Sequence, residues 1–166
     1  MDRSPCPVPI GNQHSHMADI VPADVRSRMM AGIRATNTKP ELLLRKGLHA
    51  RGLRFRLHDP ALPGKPDIVF PRHRAVILAH GCFWHGHNCH LFKWPSTRPD
   101  FWQAKIARNR EVDARTDIAL ATAGWRQAVV WECALKGRTR LLLDNVIDSC
   151  ENWIRSDLQR MEIRGA

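Results

Sequence analysis

The sequence predicts an α/β fold in which helices flank a mixed sheet. Segments with the alternation or the continuous apolar character of strands occur at 53–57, 67–70 and 75–80. A long helical pattern follows them, and a further buried strand is predicted at 125–132. This order of elements favours a mixed sheet with helices packed on it, in one domain.

The N-terminal part contains an extension and two predicted helices. Residues 1–18 mix Pro, Gly, Ser and His without a period and are predicted to be a disordered extension, with Met17 as an alternative start. Residues 19–166 are predicted to form the single domain. Its first helix covers 24–35, where apolar residues recur at helical spacing. The second begins with a capping-box pattern at Thr38 to Glu41 and ends near Gly52.

The strands 67–70 and 75–80 are predicted to form a hairpin. A loop over 72–75 would pair Asp67 with His80 and place both side chains on one face. After the hairpin, a helix should run from about 97 to Ala123, with Gly124 as its stop. Strand 125–132 is then expected to lead through a loop to a final helix at roughly 139–159.

Composition excludes several protein classes. The chain has 166 residues, a formal net charge of +10 and 43% hydrophobic residues, which argues against disorder. No apolar run approaches the roughly 18 to 20 residues of a membrane span, and the proline-containing start does not resemble a signal peptide. Five unevenly spaced cysteines indicate free thiols or a metal site in a reducing compartment. We therefore expect a soluble intracellular protein.

The basic charge is concentrated in one part of the chain. Residues 1–110 hold 18 Lys and Arg against 7 Asp and Glu, whereas residues 111–166 hold 8 against 9. This asymmetry favours a surface that binds a polyanion such as nucleic acid. Simple solubility is the alternative explanation.

A segment dense in cysteine and histidine follows the predicted hairpin; residues 80–90 are here called the Cys/His segment. Cys82, His87 and Cys89 supply three candidate zinc ligands, and Cys133 after the last strand could supply the fourth. Such a site would connect the loop to the sheet and would have a structural role. The alternative is a loop that is merely rich in histidine. A zinc deaminase is excluded, because the chain has neither the H-x-E nor the C-x-x-C pattern that this chemistry requires.

Further candidates for chemistry lie in and beside this segment. His80, His85 and His90 are not needed for zinc and could act as acids or bases. Asp67 could hold Mg²⁺ at the edge of the sheet, although a turn role would also explain it. The neighbouring aromatics Phe83 and Trp84 either form an apolar wedge that unstacks base steps, or leave Trp84 packed on the sheet.

Three segments together resemble the very-short-patch repair endonucleases, bacterial enzymes that nick DNA at T:G mismatches. The segments are PGKPDIVF, AHGCFWHGHNCHLFKWPSTRPDFWQAKIARN and GWRQAVVWECAL, and the likeness extends from about residue 17 to about residue 154. The resemblance implies a restriction-endonuclease-like core in a bacterial cytoplasmic enzyme that acts as a monomer on duplex DNA, and it implies contact with mismatch-repair proteins.

The resemblance also implies a role for each site residue. Asp67 would hold the catalytic Mg²⁺ together with the backbone carbonyl of Ala79, a position where the best-known member has Thr. His85 would activate the attacking water, His80 would assist at the scissile phosphate, and Glu41 would support the site. The remaining roles are structural zinc binding by Cys82, His87, Cys89 and Cys133, and wedging beside the mismatch by Phe83, Trp84, Trp102, Met29 and Met30.

Two other functions stay open from the sequence. The first is a non-catalytic, zinc-stapled DNA-binding module, which would bind DNA without metal-dependent cleavage. The presence of Asp67, His80 and His85 beyond the zinc ligands favours the enzyme instead. The second is an RNA-binding zinc protein, which is weaker because two paired aromatics do not resemble a stacking platform for single strands.

Overall fold

The computed structural model describes Val25 and residues 36–166. A five-stranded sheet forms its centre, in the order β1-β2-β3-β4-β5. β1, β2 and β3 pair antiparallel, whereas β3, β4 and β5 pair parallel, so the sheet is mixed as predicted. The strands are β1 (Arg56–Leu57), β2 (Ile68–Phe70), β3 (Ala75–His80), β4 (Arg126–Trp131) and β5 (Arg160–Ile163).

Four α-helices accompany the sheet in the described part of the chain. They are α1 (Lys39–Ala50), α2 (Pro99–Thr122), α3 (Glu132–Leu135) and α4 (Leu143–Arg155). α1 starts with the predicted capping box, and α2 starts with a proline at its first position, where the missing N–H costs nothing. Gly124 ends α2 with a positive φ of 73°, a conformation that glycine adopts without steric cost.

The helices cover both faces of the sheet. On one face, Leu44 and Leu48 of α1 and the apolar side of α4 pack on Ile68, Phe70 and Ile77. On the other face, Val69 and Val76 pack with Leu120 of α2. Successive residues of β2 and β3 point to opposite faces of the sheet, so their side chains are buried alternately on one face and on the other. The prediction of an α/β fold with a mixed sheet flanked by helices is confirmed.

Several boundaries differ from the predicted ones. The strand expected at 53–57 is only Arg56–Leu57, and the segment after β4 begins as the short helix α3 rather than as a loop. The final helix is shorter than 139–159, because the chain leaves it to form β5 beside β4. The predicted helix at 24–35 lies outside the described residues except for Val25, which is helical.

The turn of the hairpin also differs, and it changes the register of β2 and β3. Phe70 pairs with Ala75, so the loop covers 71–74 rather than 72–75, and a 3-10 turn at Pro71–His73 makes most of it. The expected direct pairing of Asp67 with His80 is therefore wrong. The register is shifted by two residues, however, and such a shift leaves each side chain on its own face of the sheet. Asp67 and His80 therefore still lie at the same end of the same face.

None of the helices in the described part of the chain is long and apolar enough to cross a lipid bilayer.

Candidate active site

The end of the sheet where β2 begins and β3 and β4 finish opens into a cleft of about 1010 Å³. Its lining includes predicted site residues from α1, β3 and two loops, and basic residues from α2 and the loop before β2. The predicted residues are Glu41, Asp67, Ala79, His80, Trp84 and His85, and the basic ones are Lys65, Lys105 and Arg110. The fold thus brings the acid, the two imidazoles and positive charge to one place.

Asp67 stands directly before β2 and is held by the neighbouring strand. The Ala79 N–H donates to its Oδ2 at 2.7 Å. Burial raises the pKa of this carboxyl, and the bond from Ala79 opposes that rise. Among the described residues, no donor lies within hydrogen-bond distance of Oδ1, and His58 Nδ1 is 3.8 Å from it. A carboxylate that is desolvated but left with a free oxygen is suited to binding a hard divalent cation.

His80 and His85 stack against each other beside Asp67. Their ring centroids lie 3.9 Å apart, and the planes are nearly parallel at 3°. Burial, followed by the neighbouring His85, lowers the pKa of His80 to about 4, so this ring is neutral at pH 7. His85 Nδ1 lies 2.5 Å from Asp113 Oδ2 on α2. The other nitrogen of the His85 ring, Nε2, is therefore left available to accept a proton.

Glu41 is almost fully buried in the capping box of α1. Its Oε1 accepts from the Thr38 amide at 3.2 Å and from the Thr38 hydroxyl at 2.8 Å. Its Oε2 accepts from the Asn37 amide at 3.0 Å and from Arg45 Nη2 at 2.6 Å. These four bonds use the acceptor capacity of both oxygens. Glu41 thus lies at the cleft but is committed to the start of α1.

The four predicted zinc ligands come together behind the cleft. Their ligand atoms all lie within 4.8 Å of one another. His87 Nδ1 is 3.5 Å from Cys82 Sγ and 3.6 Å from Cys133 Sγ. A tetrahedral zinc ion with ordinary bond lengths would set such atoms about 3.6 Å apart. The donor set and its spacing fit a structural metal site, with Cys89 as the fourth ligand.

Neighbouring residues fix this cluster in place. The His87 ring stacks on Trp131 at 4.0 Å, and the Gly165 N–H donates to Cys133 Sγ at 3.3 Å. Cys133 lies in α3 directly after β4, so a bound metal would connect the Cys/His segment to the sheet. From the opposite side, α2 holds the segment, because Asn109 Nδ2 donates to the Trp84 carbonyl at 2.8 Å.

The predicted wedge residues form one aromatic cluster. The Phe83 ring lies 5.2 Å from both Trp84 and Trp102, and the two indoles are 6.1 Å apart. All three side chains are partly exposed, and Trp84 also lines the cleft rather than packing in the sheet core. The other two predicted wedge residues, Met29 and Met30, lie outside the described residues.

Comparison with known proteins identifies the family. The sequence profile of the DNA mismatch endonuclease Vsr matches residues 18–91. The Vsr protein of Escherichia coli K12, named a DNA mismatch endonuclease, is 46% identical over 138 residues, which are 83% of this chain and 88% of that protein. The chain belongs to the Vsr family of endonucleases.

Other Vsr relatives bear the name of nicking enzymes. V.XorIIP of Xanthomonas oryzae pv. oryzae is 48% identical over 134 residues, covering 80% of this chain and 98% of the relative. V.NmeAIP of Neisseria meningitidis is 43% identical over 122 residues, covering 74% and 87%. Both are named type II nicking enzymes. The predicted resemblance is confirmed, and with it a nuclease that acts on DNA and has the restriction-endonuclease-like fold.

Two residues of this Vsr site were missed by the sequence analysis. Asp113 lies in the middle of a long exposed helix, where a single acid carries no local pattern. His58 lies at the end of β1 and contacts Glu41 and Asp67, and these three form a further group that could hold a metal. Both contacts join residues that are distant in sequence, so only the folded chain reveals them.

Proposed function

We propose that this chain nicks one strand of duplex DNA at a T:G mismatch by Mg²⁺-dependent phosphodiester hydrolysis, in very-short-patch repair. One observation carries the proposal. The free oxygen of Asp67 and the His80–His85 pair lie in one cleft, beside the aromatic cluster of Phe83, Trp84 and Trp102. Such a reaction requires a carboxylate that binds a metal ion, a base that deprotonates the attacking water, and apolar side chains that unstack the mismatched step.

Asp67 and the backbone carbonyl of Ala79 would hold the Mg²⁺. A cation bound there would neutralise negative charge that develops on the phosphate. The side chain of residue 79 is not needed for this contact, because the carbonyl belongs to the main chain. Lys65, Lys105 and Arg110 line the same cleft and would attract the DNA backbone.

His85 would be the general base. With Asp113 at its Nδ1, the neutral ring carries its proton on that nitrogen, and Nε2 is the atom that accepts a proton from the attacking water. His80, which stacks on His85 and is neutral, would assist at the scissile phosphate as a hydrogen-bond partner. Glu41 would support the site through α1.

The wedge and the metal cluster would have separate tasks. Phe83, Trp84 and Trp102 would insert beside the mismatched pair from the major groove, and Met29 and Met30 would press from the minor groove. A mismatched step costs less to unstack than a paired one, which gives the wedge selectivity. Cys82, His87, Cys89 and Cys133 would bind structural zinc and keep Phe83 and Trp84 in position.

The proposal also includes the domain organisation, the oligomeric state and the cellular location of the protein. Residues 19–166 would form a single endonuclease domain that follows a disordered extension and acts as a monomer in the bacterial cytoplasm. One active site in a monomer cuts one strand and leaves a nick. Mismatch-repair proteins would be partners at the repair site.

A strand-resolved nicking assay tests the proposal. Duplexes with one T:G mismatch in several sequence contexts, each strand end-labelled separately, are incubated with Mg²⁺ or EDTA beside T:A controls. We expect a Mg²⁺-dependent nick next to the mismatched T, absent from T:A duplexes and absent with the variant Asp67→Asn. Mismatch binding without any nick would instead support the non-catalytic DNA-binding module, and nicking of T:A duplexes at equal rate would remove the mismatch specificity.

A further inference from the structure

A buried arginine connects the start of α1 to the edge of the sheet. The Arg45 side chain is 10% exposed and its Nη2 donates to Glu41 Oε2 at 2.6 Å. The same Nη2 lies 2.8 Å from His58 Nε2, and Nη1 donates to Asn37 Oδ1 at 2.5 Å. The guanidinium therefore joins the capping carboxylate to His58, which in turn faces Asp67.

The contact with Arg45 fixes the hydrogen-bonding roles of the His58 ring. A guanidinium is always protonated and can only donate, so His58 Nε2 has to accept. A neutral imidazole with an acceptor at Nε2 carries its proton on Nδ1. That Nδ1 lies 3.8 Å from Asp67 Oδ1, the oxygen left without a donor by the bond from Ala79 to Oδ2.

The backbone conformation of His58 indicates that its contact with Arg45 is specific rather than accidental. Its φ is +46°, in the left-handed region that residues other than glycine seldom adopt. His58 follows β1 directly, and this conformation turns its ring inward to Arg45 while its side chain is only 25% exposed. The surrounding contacts hold a conformation that the residue would not prefer by itself.

The charges in this network leave Asp67 with an unbalanced negative charge. Arg45 neutralises Glu41, whose oxygens accept four hydrogen bonds and have no free lone pair for a cation. Apart from the His58 ring, whose Nδ1 is 3.8 Å away, no basic side chain lies within 4 Å of the Asp67 carboxylate among the described residues. Glu41, His58 and Asp67 group like metal ligands, but only Asp67 keeps a free oxygen.

We propose that His58 is a positioning residue that holds Asp67 for a divalent cation. Arg45 fixes the orientation of the His58 ring. The Nδ1–H, 3.8 Å from Oδ1, then attracts that side of the Asp67 carboxylate electrostatically, without a direct hydrogen bond. This inference rests on the proposed function in one respect, namely that Asp67 binds the metal.

Three variants separate this role from simple packing. His58→Leu fills the space but can neither accept from Arg45 nor present an N–H group toward Asp67. His58→Gln restores both, since its amide oxygen can accept and its NH₂ can donate. His49→Leu is the matched control, because His49 lies exposed on the last turn of α1 and outside the cleft.

Mn²⁺ binding measured by electron paramagnetic resonance is the first readout, with Asp67→Asn defining the signal from this site. We expect His58→Leu to weaken Mn²⁺ binding by about 10- to 100-fold, the usual effect of removing a residue that orients a metal ligand. His58→Gln should bind within about threefold of the wild type, and His49→Leu should equal it. Wild-type binding by His58→Leu would overturn the proposal, as would an equal loss in His58→Gln.

The second readout is the Mg²⁺ concentration that gives half-maximal nicking, measured beside thermal melting of each variant. We expect the half-saturating concentration for His58→Leu to rise by the same factor as the Mn²⁺ dissociation constant. A lower melting temperature with unchanged metal affinity would assign His58 to packing and overturn the proposal. If the wild type binds Mn²⁺ through Asp67 but never nicks T:G duplexes, the proposed function fails while the role of His58 stands.

Discussion

At the scale of single residues, the contact between His85 and Asp113 decides which nitrogen of the base is free. The Asp113 carboxylate can only accept, so it keeps the proton of a neutral His85 on Nδ1. An amide at position 113 can donate to Nδ1 and so move the proton to Nε2, where it blocks the acceptance of a proton from water.

We therefore expect Asp113→Asn to lower the nicking rate by roughly 10²- to 10⁴-fold with little change in mismatch binding, comparable to amide replacements in other acid–histidine pairs. His85→Ala should lose at least as much. Glu111→Gln, an exposed change on the same helix, is the control and should nick as the wild type does. Single-turnover rates on a T:G duplex measure the effect; a fully active Asp113→Asn would show that another group takes the proton.

The buried Asp67 should also reduce the stability of the folded chain. Burial raises its pKa in the folded state above the ordinary 3.8, so the fold disfavours the ionised form. The resulting penalty is absent well below pH 3.8 and grows as the pH rises from there through the folded pKa. In EDTA, Asp67→Asn should therefore melt at a higher temperature than the wild type at pH 7.

The gain in melting temperature should shrink as the pH falls toward 4, since protonation of Asp67 in the folded state progressively removes the buried charge. Differential scanning calorimetry from pH 4 to pH 8 measures this difference. Glu111→Gln serves as the surface control. A variant that melts below the wild type at every pH would show that the bond from Ala79 outweighs the cost of burial.

The sequence was most informative for residues whose role is local. Cys82, His87 and Cys89 lie close together in the chain, and Thr38 with Glu41 forms a pattern four residues long, so spacing alone could predict that each set comes together. Asp113 and His58 are different, because their contacts with His85 and Arg45 depend on how α2 and β1 meet the rest of the fold. No local pattern encodes those contacts.

At the scale of elements, β3 was predicted correctly because its apolar residues determine it, and α2 because its proline-containing start and Gly124 mark its ends. β5 was missed because Arg160–Ile163 is short and mostly exposed, and because each of its residues pairs with a β4 residue 33 positions earlier, as Arg160 does with Gln127. The loop expected after β4 became α3, a helix of four residues. Such short elements depend on tertiary contacts rather than on propensity.

The short helix α3 provides a test of the metal cluster. Cys133→Ser should lower both the zinc content, from about one ion per chain, and the melting temperature, because the Cys/His segment loses its connection to the sheet. Elemental analysis and thermal melting of the same preparations measure the two effects.

Cys150→Ser is the matched control for this variant. Cys150 is fully buried in α4 within the main core and lies outside the metal cluster. Placing a hydroxyl there should lower the melting temperature but leave the zinc content unchanged. An unchanged zinc content in Cys133→Ser would show that Cys133 is not a ligand, whatever its effect on stability.

At the scale of the whole molecule, we expect residues 1–16 to add little that the reaction requires. The match to the family begins at residue 18, and residues 1–16 contain one Asp and one Arg, so their net charge is zero. Binding to DNA phosphates depends on the number of cationic groups that contact them, and this number sets the slope of log affinity against log salt concentration.

Deletion of residues 2–16 should therefore leave the nicking rate unchanged within about twofold, and the salt slope of DNA binding unchanged within about 0.3 unit. Titrations of a T:G duplex at several salt concentrations, together with nicking rates at saturating Mg²⁺, measure both quantities. Lys105→Ala, which removes a cation of the cleft in the full-length chain, should lower the slope by about one unit and is the positive control. A truncated chain with a lower slope or a slower nick would mean that the extension contacts the DNA or the fold, and the domain would then have to begin before residue 17.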